Sequence, residues 1–228
     1  IPRQRRHTHL TGAFVAQYRH IIWDWNGTLL DDLTVCVNII NSLLVQHQLP
    51  TVSSEQYLNV FGFPVRDYYV RVGFENSDTV IKQVSDLFIA QYDHQQHTCD
   101  LHAKVIDTLK AVQQLEIPQS ILSAYQQTRL NNIVDHFQLR LYFEEVVGID
   151  DIYAHGKIEQ GKRLITKLAL RGNDVLFVGD TVHDYEVAQE MGTDCVLIAN
   201  GHQPKQKLET CDVQVLDRVE DVLTLLNK

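Results

Sequence analysis

The stretch His20-Ile-Ile-Trp-Asp24-Trp-Asn26-Gly27-Thr28-Leu-Leu-Asp31-Asp32 decides how this chain is read. Its apolar run, with Ile21, Ile22 and Trp23 in sequence, is too short for a helix and suits a strand buried on both faces of a parallel sheet. Asp24 then stands at the C-terminal end of that strand, the edge at which open α/β sheets bind ligands. Gly27 permits a tight turn, and the amides of a turn leading into a helix can face an anion. A carboxylate beside such a turn has two chemical uses: holding a cation that neutralises a phosphate, or attacking phosphorus to form an aspartyl-phosphate. Capping of the following turn is the plain structural alternative.

Outward from that turn, Cys36, Ile40, Leu43, Leu44 and His47 fall at helical spacing, and Pro50 ends the helix. Short helices are predicted at 54–60 and 65–72 and a longer one at 77–92, with no strand-like run before about Asp100. A helical insert between two strands reads as a cap over the sheet's C-terminal edge, placed to exclude water and choose the substrate. Strands are then predicted at 119–123, 145–148, 175–178, 195–198 and 213–215, with helices between them, including one over 158–170. A last helix carries Val219, Val222, Leu223 and Leu226, with Asp217 and Glu220 spaced like a capping box. The expected fold is therefore α/β: a doubly wound, Rossmann-like parallel core formed by 20–34 and 101–228, with a small all-helical cap over 35–100.

The composition is globular: 228 residues, 44% hydrophobic, with a formal net charge of −9 and no basic stripe, so a nucleic-acid backbone is not an expected partner. Cys36, Cys99, Cys195 and Cys211 form no C-x-x-C pair, and the predicted elements bury Cys36 and Cys195. Together these features suggest a reduced, cytoplasmic protein. No apolar run approaches a membrane span, and the start lacks the apolar core of a secretory signal. Residues 1–19, with Arg3, Arg5, Arg6 and Arg19, read as a basic extension ahead of the first strand.

Asp-Trp-Asn-Gly-Thr-Leu resembles the first signature of the haloacid dehalogenase-like hydrolases, whose usual form is D-x-D-G-T, and the other signatures follow in order. Ser123, closing Ile-Leu-Ser, resembles the second, a hydroxyl that donates to a phosphoryl oxygen. Lys157, in His-Gly-Lys-Ile-Glu, resembles the third, a lysine that balances charge between nucleophile and phosphate; Lys162, a turn and a half inside the helix, is its rival. Leu-Phe-Val-Gly179-Asp180-Thr-Val-His-Asp184 resembles the fourth. The helical insert, with Phe-Gly-Phe-Pro-Val-Arg-Asp-Tyr-Tyr, is similar to the cap of the phosphoglycolate phosphatase-like branch.

The resemblance implies a magnesium-dependent phosphatase acting on a small phosphorylated metabolite. Asp24 is its nucleophile, Asp24, Asp180, Asp184 and the backbone carbonyl of Asn26 are its metal site, and Thr28 joins the catalytic group. Ser123, Ala124 and Lys157 would hold the phosphate, and Arg66 would read a second anionic group on the substrate. The expected assembly is a monomer or homodimer.

One residue departs from the pattern. Asn26 stands where the family's phosphatases carry an aspartate that protonates the leaving oxygen and later activates water, help worth about 10²–10⁴-fold in general acid–base catalysis. Four readings follow: a substrate whose leaving group needs little protonation, a proton supplied by another residue such as His183, a phosphotransferase or mutase, or a catalytically weak phosphate-binding regulatory module. Dehalogenation also proceeds without that aspartate but has no use for the Asp180/Asp184 pair. Tyr68 and Tyr69 read as cap core. His94, His97, Cys99 and His102 lie close together but lack the separated halves of a structural zinc site.

Overall fold

The apolar residues ahead of Asp24 form β1 (His20–Trp23), all four of them buried. β1 lies at the centre of a six-stranded parallel sheet, flanked by β4 (Gln119–Gln126) and β6 (Val175–Gly179). β5 (Glu145–Ile149) lies outside β4, while β7 (Asp194–Ile198) and then β8 (Gln214–Leu216) lie outside β6. Ile22 pairs with Ser120 on one side and Phe177 on the other. This structure is a computed structural model that describes residues 18–150 and 157–226. Arg3, Arg5, Arg6 and the rest of the basic stretch to residue 17 lie outside the described residues, as do His155 and Gly156 of the lysine signature.

Alternation along β1 divides the core. Ile21 and Trp23 face a cluster that includes Leu109 and Val112 from α5 (Val105–Gln114) and Leu130 and Ile133 from α6 (Gln127–His136). Ile22 faces the other layer, where it packs with Leu164 of α7 (Lys157–Leu168) and Val187 of α8 (Val182–Met191). Helices on both faces explain why every β1 side chain is apolar or hydrogen-bonded: His20 meets Ser120 Oγ at 2.9 Å. The order of strands reverses at β1, so the loops after β1, β4 and β6 leave the sheet around one crevice.

Between β1 and β4 the chain crosses a short antiparallel pair, β2 (Leu30–Asp31) with β3 (Asp100–Leu101). Four helices stand between these strands: α1 (Leu33–Gln46), α2 (Ser54–Val60), α3 (Val65–Arg71) and α4 (Asp78–Gln95). Ser53 and Ser77 cap α2 and α4 through their side chains. The β2–β3 pair was not expected, because two residues per strand carry no readable alternation.

Three expectations need correction. The strand expected at 119–123, β4, runs three residues beyond Ser123, to Gln126. The C-terminal segment is a 3₁₀ turn over Val219–Val222 followed by a short helix, Leu223–Leu226, and its N-cap is Arg218, whose backbone N donates to Asp221 at 3.1 Å; Asp217 instead pairs with Lys205. Cys195 is half-buried rather than buried, near the start of β7 beside a surface recess lined by Asp194 and Asp212.

Gln119 knits the sheet to α5: its side-chain oxygen accepts from Trp23 Nε1 at 3.0 Å, and its amide donates to Leu109 O at 3.0 Å. Gln119→Leu leaves both buried partners without a bond and is expected to lower unfolding free energy by about 2–4 kcal/mol. Urea denaturation of the variant checks this.

Candidate active site

Asp24 follows β1 and Asp180 follows β6, so adjacent strands deliver the two carboxylates to one point. Asp184 reaches the same point from the first turn of α8. Carboxylate oxygens of all three lie within 4.8 Å of one another. Lys157, the first residue of α7, extends its ammonium between two of them, 2.6 Å from Asp24 Oδ1 and 2.6 Å from Asp184 Oδ1. The other oxygen of Asp184 accepts from Thr181 N at 2.9 Å and Thr181 Oγ1 at 2.7 Å. Asp184 thus caps its own helix and holds Lys157 at once.

Asp180 is fixed by Thr28 Oγ1, which donates to Oδ1 at 2.9 Å, and by His202 N, which donates to Oδ2 at 2.7 Å. Gly27, at φ +76, lies so close that a Cβ would run into the Asp180 carboxylate and the His202 ring, so the turn requires glycine.

Beside this cluster lies a second buried ion pair. His202 Nε2 donates to Asp32 Oδ1 at 2.9 Å, and Nδ1 meets Tyr57 OH at 3.1 Å. Asp32 Oδ2 accepts from Tyr92 OH at 2.6 Å and Asn26 Nδ2 at 2.8 Å. Gly27 N adds a bond to Oδ1 at 3.1 Å. Asn26 is therefore turned into the Asp32 network, with a further bond from Nδ2 to Tyr92 OH at 2.6 Å.

Titration follows this geometry. Burial alone would push Asp32 up, but the His202 charge and the bonds from His202, Tyr92 and Asn26 outweigh it and lower Asp32 to about 2. Burial opposes the His202 imidazolium, yet Asp32, with Asp180 and Asp24, raises it to about 9. Burial of Lys157 is outweighed by Asp184 and Asp24, so its ammonium is held well above the usual range. Burial raises Asp24 to about 8, with Lys157 opposing and Asp184 and Asp180 adding to the rise. Asp180 is raised to about 6, chiefly by burial.

Among the described residues, four buried carboxylates, Asp24, Asp32, Asp180 and Asp184, therefore face two buried cations, Lys157 and His202. The repulsion that favours the protonated forms of Asp24 and Asp180, and the all-oxygen donor set of Asp24, Asp180 and Asp184, fit one hard divalent cation such as magnesium, which would hold them ionised. A second cluster of ligand-type side chains, Asp32, Cys36 and His202, is less suited to a cation: Asp32 and His202 are already bonded to each other, and burial keeps Cys36 a thiol.

The charged cluster opens into a cavity of about 510 Å³ lined by Asp24, Lys157, Ser123 and Ala124 from the sheet side and by side chains of α2, α3 and α4. A family model described as haloacid dehalogenase-like hydrolase matches residues 21–198. The chain belongs to this family.

Among relatives of this haloacid dehalogenase-like hydrolase, phosphoglycolate phosphatase 1 of Pseudomonas aeruginosa is 22% identical over 217 residues, covering 90% of this chain and 78% of its own. Pyrophosphatase PpaX of Anoxybacillus flavithermus is 24% identical over 213 residues, covering 90% and 95%. A haloacid dehalogenase-like family hydrolase from Streptococcus pneumoniae shares the fold, with a TM-score of 0.80 at 17% identity over 91% of this chain and 98% of that one.

The hydrolase's structure brings together Asp24, Asp180, Asp184 and Lys157, with Ser123 and Ala124 on the same cavity. Ser123 is buried, and its Oγ accepts from Tyr125 N at 3.1 Å. Thr28 is placed against Asp180 rather than on the cavity. Lys162 is on the surface, paired with Glu190 at 2.9 Å. Arg66 is exposed at the cavity's edge and bonded to Asn76 and Asp78. His183 stacks on Phe63 at 4.6 Å, bonds Glu186 and is not among the cavity's lining residues. His97 packs on His136, while His102 bonds Gly27 O, so these two histidines point to different neighbours. Tyr68 and Tyr69 are buried and also line the cavity.

Asp32, His202, Tyr57 and Tyr92 were not anticipated. Asp32 stood inside the quoted stretch, whereas His202 follows β7 and meets Asp32 only through the folded sheet. The loop holding His202 also grips the insert: Gln203 Nε2 and Lys207 Nζ both donate to Phe61 O, at 2.9 and 2.8 Å.

Asn26→Asp would set a second carboxylate against Asp32 Oδ2, so the variant is expected to lose about 1–3 kcal/mol at pH 7. The introduced acid has a raised pKa, so its loss grows as pH rises; denaturation at pH 5 and pH 8 reads it. His202 titrates above its unfolded value of 6.5. Its contribution is thus fully present below pH 6.5 and lost as pH rises through about 9. Wild type is expected to exceed His202→Gln by about 2–4 kcal/mol at pH 6, with the gap closing towards pH 10.

Proposed function

We propose that this hydrolase is a magnesium-dependent phosphatase that cleaves a small phosphorylated metabolite through an aspartyl-phosphate on Asp24. The observation that carries the reading is Lys157, buried between Asp24 and Asp184 at the floor of the cavity. An ammonium in that place balances an attacking carboxylate and the phosphate it attacks. The names of relatives, phosphoglycolate phosphatase and pyrophosphatase, agree on phosphate release while differing in substrate.

Asp24 attacks phosphorus, the bond from phosphorus to the leaving oxygen breaks, and the leaving group departs with the electron pair. Water then attacks phosphorus, freeing phosphate and restoring Asp24. Ser123 offers its hydroxyl to the phosphoryl oxygens and Lys157 neutralises them. Asp24, Asp180 and the Asn26 carbonyl, with Asp184 beside them, would hold magnesium, which supplies positive charge to the phosphoryl group when bound. The helices between β2 and β3 act as the cap that encloses the substrate's organic part.

Asn26 shapes the substrate range. Its amide cannot exchange a proton and is committed to Asp32 and Tyr92, so the site favours leaving groups that depart without protonation. Slow hydrolysis of the aspartyl-phosphate would instead favour transfer to an acceptor, which pulse labelling with and without an acceptor alcohol distinguishes.

Asp24→Asn and removal of magnesium by chelation are each expected to lower phosphate release by roughly 10³-fold or more. Release from phenyl phosphate and acetyl phosphate, with magnesium added back after chelation, checks both. Activity retained in Asp24→Asn overturns the covalent route.

A further inference from the structure

The cavity above Asp24 is built for more than a short acid phosphate. Its volume of about 510 Å³ lies in the range of pockets that enclose drug-sized ligands. Eight of its described lining residues are tyrosine or phenylalanine, most of them from the helical insert, which makes its upper wall a surface of rings. Phe61, Phe63 and Phe88 are only half-buried and leave apolar surface uncovered, backed by the buried rings of Tyr57, Tyr68 and Tyr92. The wall reaches the charged floor without a break: Phe61 stacks on Tyr57 at 5.1 Å and lies 5.2 Å from the His202 ring.

Charge points the same way. Among the described residues four cationic side chains line the cavity, and each is already held by a carboxylate. Lys157 is held by Asp24 and Asp184, His202 by Asp32, Lys82 by Asp86 at 2.5 Å, and Arg66 by Asp78 at 2.6 Å. Asp78 itself lines the cavity, as do Asp24, Asp32 and Asp184. Among the described lining residues four carboxylates thus balance four cations, so a second anionic group on the substrate would find no unpaired positive charge and would compete with Asp78 or Asp86 for its cation.

We propose that the substrate is a phosphate ester whose organic part is an apolar, ring-sized body, as in an aryl phosphate, rather than a short carboxylic acid or a second phosphate. This rests on the phosphatase reading and narrows it. The ring surface supplies the affinity, because covering exposed apolar area is favourable and offset or edge-on ring contacts add to it. Asn26 fits the same class: a phenolate leaves with its electron pair and takes its proton from water afterwards. The balance is aryl phosphate plus water giving phenol plus phosphate.

The test separates binding from turnover. In the presence of magnesium, 2-phenylethylphosphonate is expected to bind at least about tenfold more tightly than ethylphosphonate by calorimetry. Phe88→Ala should narrow that ratio, and Arg66→Met should leave it within about threefold. Phenyl phosphate should exceed phosphoglycolate in kcat/KM by about 100-fold or more. Equal binding of the two phosphonates overturns the inference, as does preferred turnover of phosphoglycolate or pyrophosphate that Arg66→Met abolishes. If no substrate releases phosphate while the ring preference in binding persists, the phosphatase reading falls and the class of occupant stands.

Discussion

Three carboxylates that approach within 4.8 Å of one another, shielded from water, repel far more strongly than they would on a surface. Asp24, Asp180 and Asp184 are held in that arrangement by a lysine that is itself buried. Taking one ammonium out of water is costly, and here it is offset because Lys157 meets two carboxylates at 2.6 Å. Much of the core serves that geometry. Three strands and the starts of two helices converge where the strand order reverses, and Gly27 lets the turn after β1 pass against Asp180. The negative excess that remains is the property that makes the place useful to a cation and a phosphate.

The neighbouring pair, Asp32 with His202, solves a different problem. Asp32 is closed on all sides by donors, so it stays ionised without any metal, and Asn26 is one of those donors. The asparagine that departs from the family's signature is thereby part of a complete hydrogen-bond set. Its amide supplies N–H bonds where an aspartate would supply a second negative charge. The substitution and the Asp32 network belong to one arrangement, which connects the turn after β1 to Tyr92 in the helical insert.

Much of this was legible in the sequence, and the reasons are physical. A strand buried on both faces must be a short apolar run, so β1 and β6 announce themselves, and the acids that close them mark the sheet edge. The α/β alternation and the family signatures were read from such features. Other features depend on contacts across the fold. Asp32 was visible as a residue, but its partner His202 follows β7, and no periodicity links the two. Tyr68 and Tyr69 read as insert core; they are buried, yet the same rings line the cavity. Asp184 was read for the metal site; in the fold one of its oxygens caps α8 and the other holds Lys157. The β2–β3 pair and the C-terminal 3₁₀ turn involve too few residues to leave a pattern.

The carbonyl of Phe61 receives two donors from the far side of the cavity, Gln203 and Lys207. One backbone oxygen thus fastens the wall of rings to the loop that carries His202. Tyr57 OH, bonded to His202 Nδ1 at 3.1 Å, ties the same two sides, and the loop so held is the one whose amide steadies Asp180. Access to the cavity and the alignment of the acid cluster therefore rest on one loop: the residues that hold the wall of rings stand beside the amide that holds Asp180.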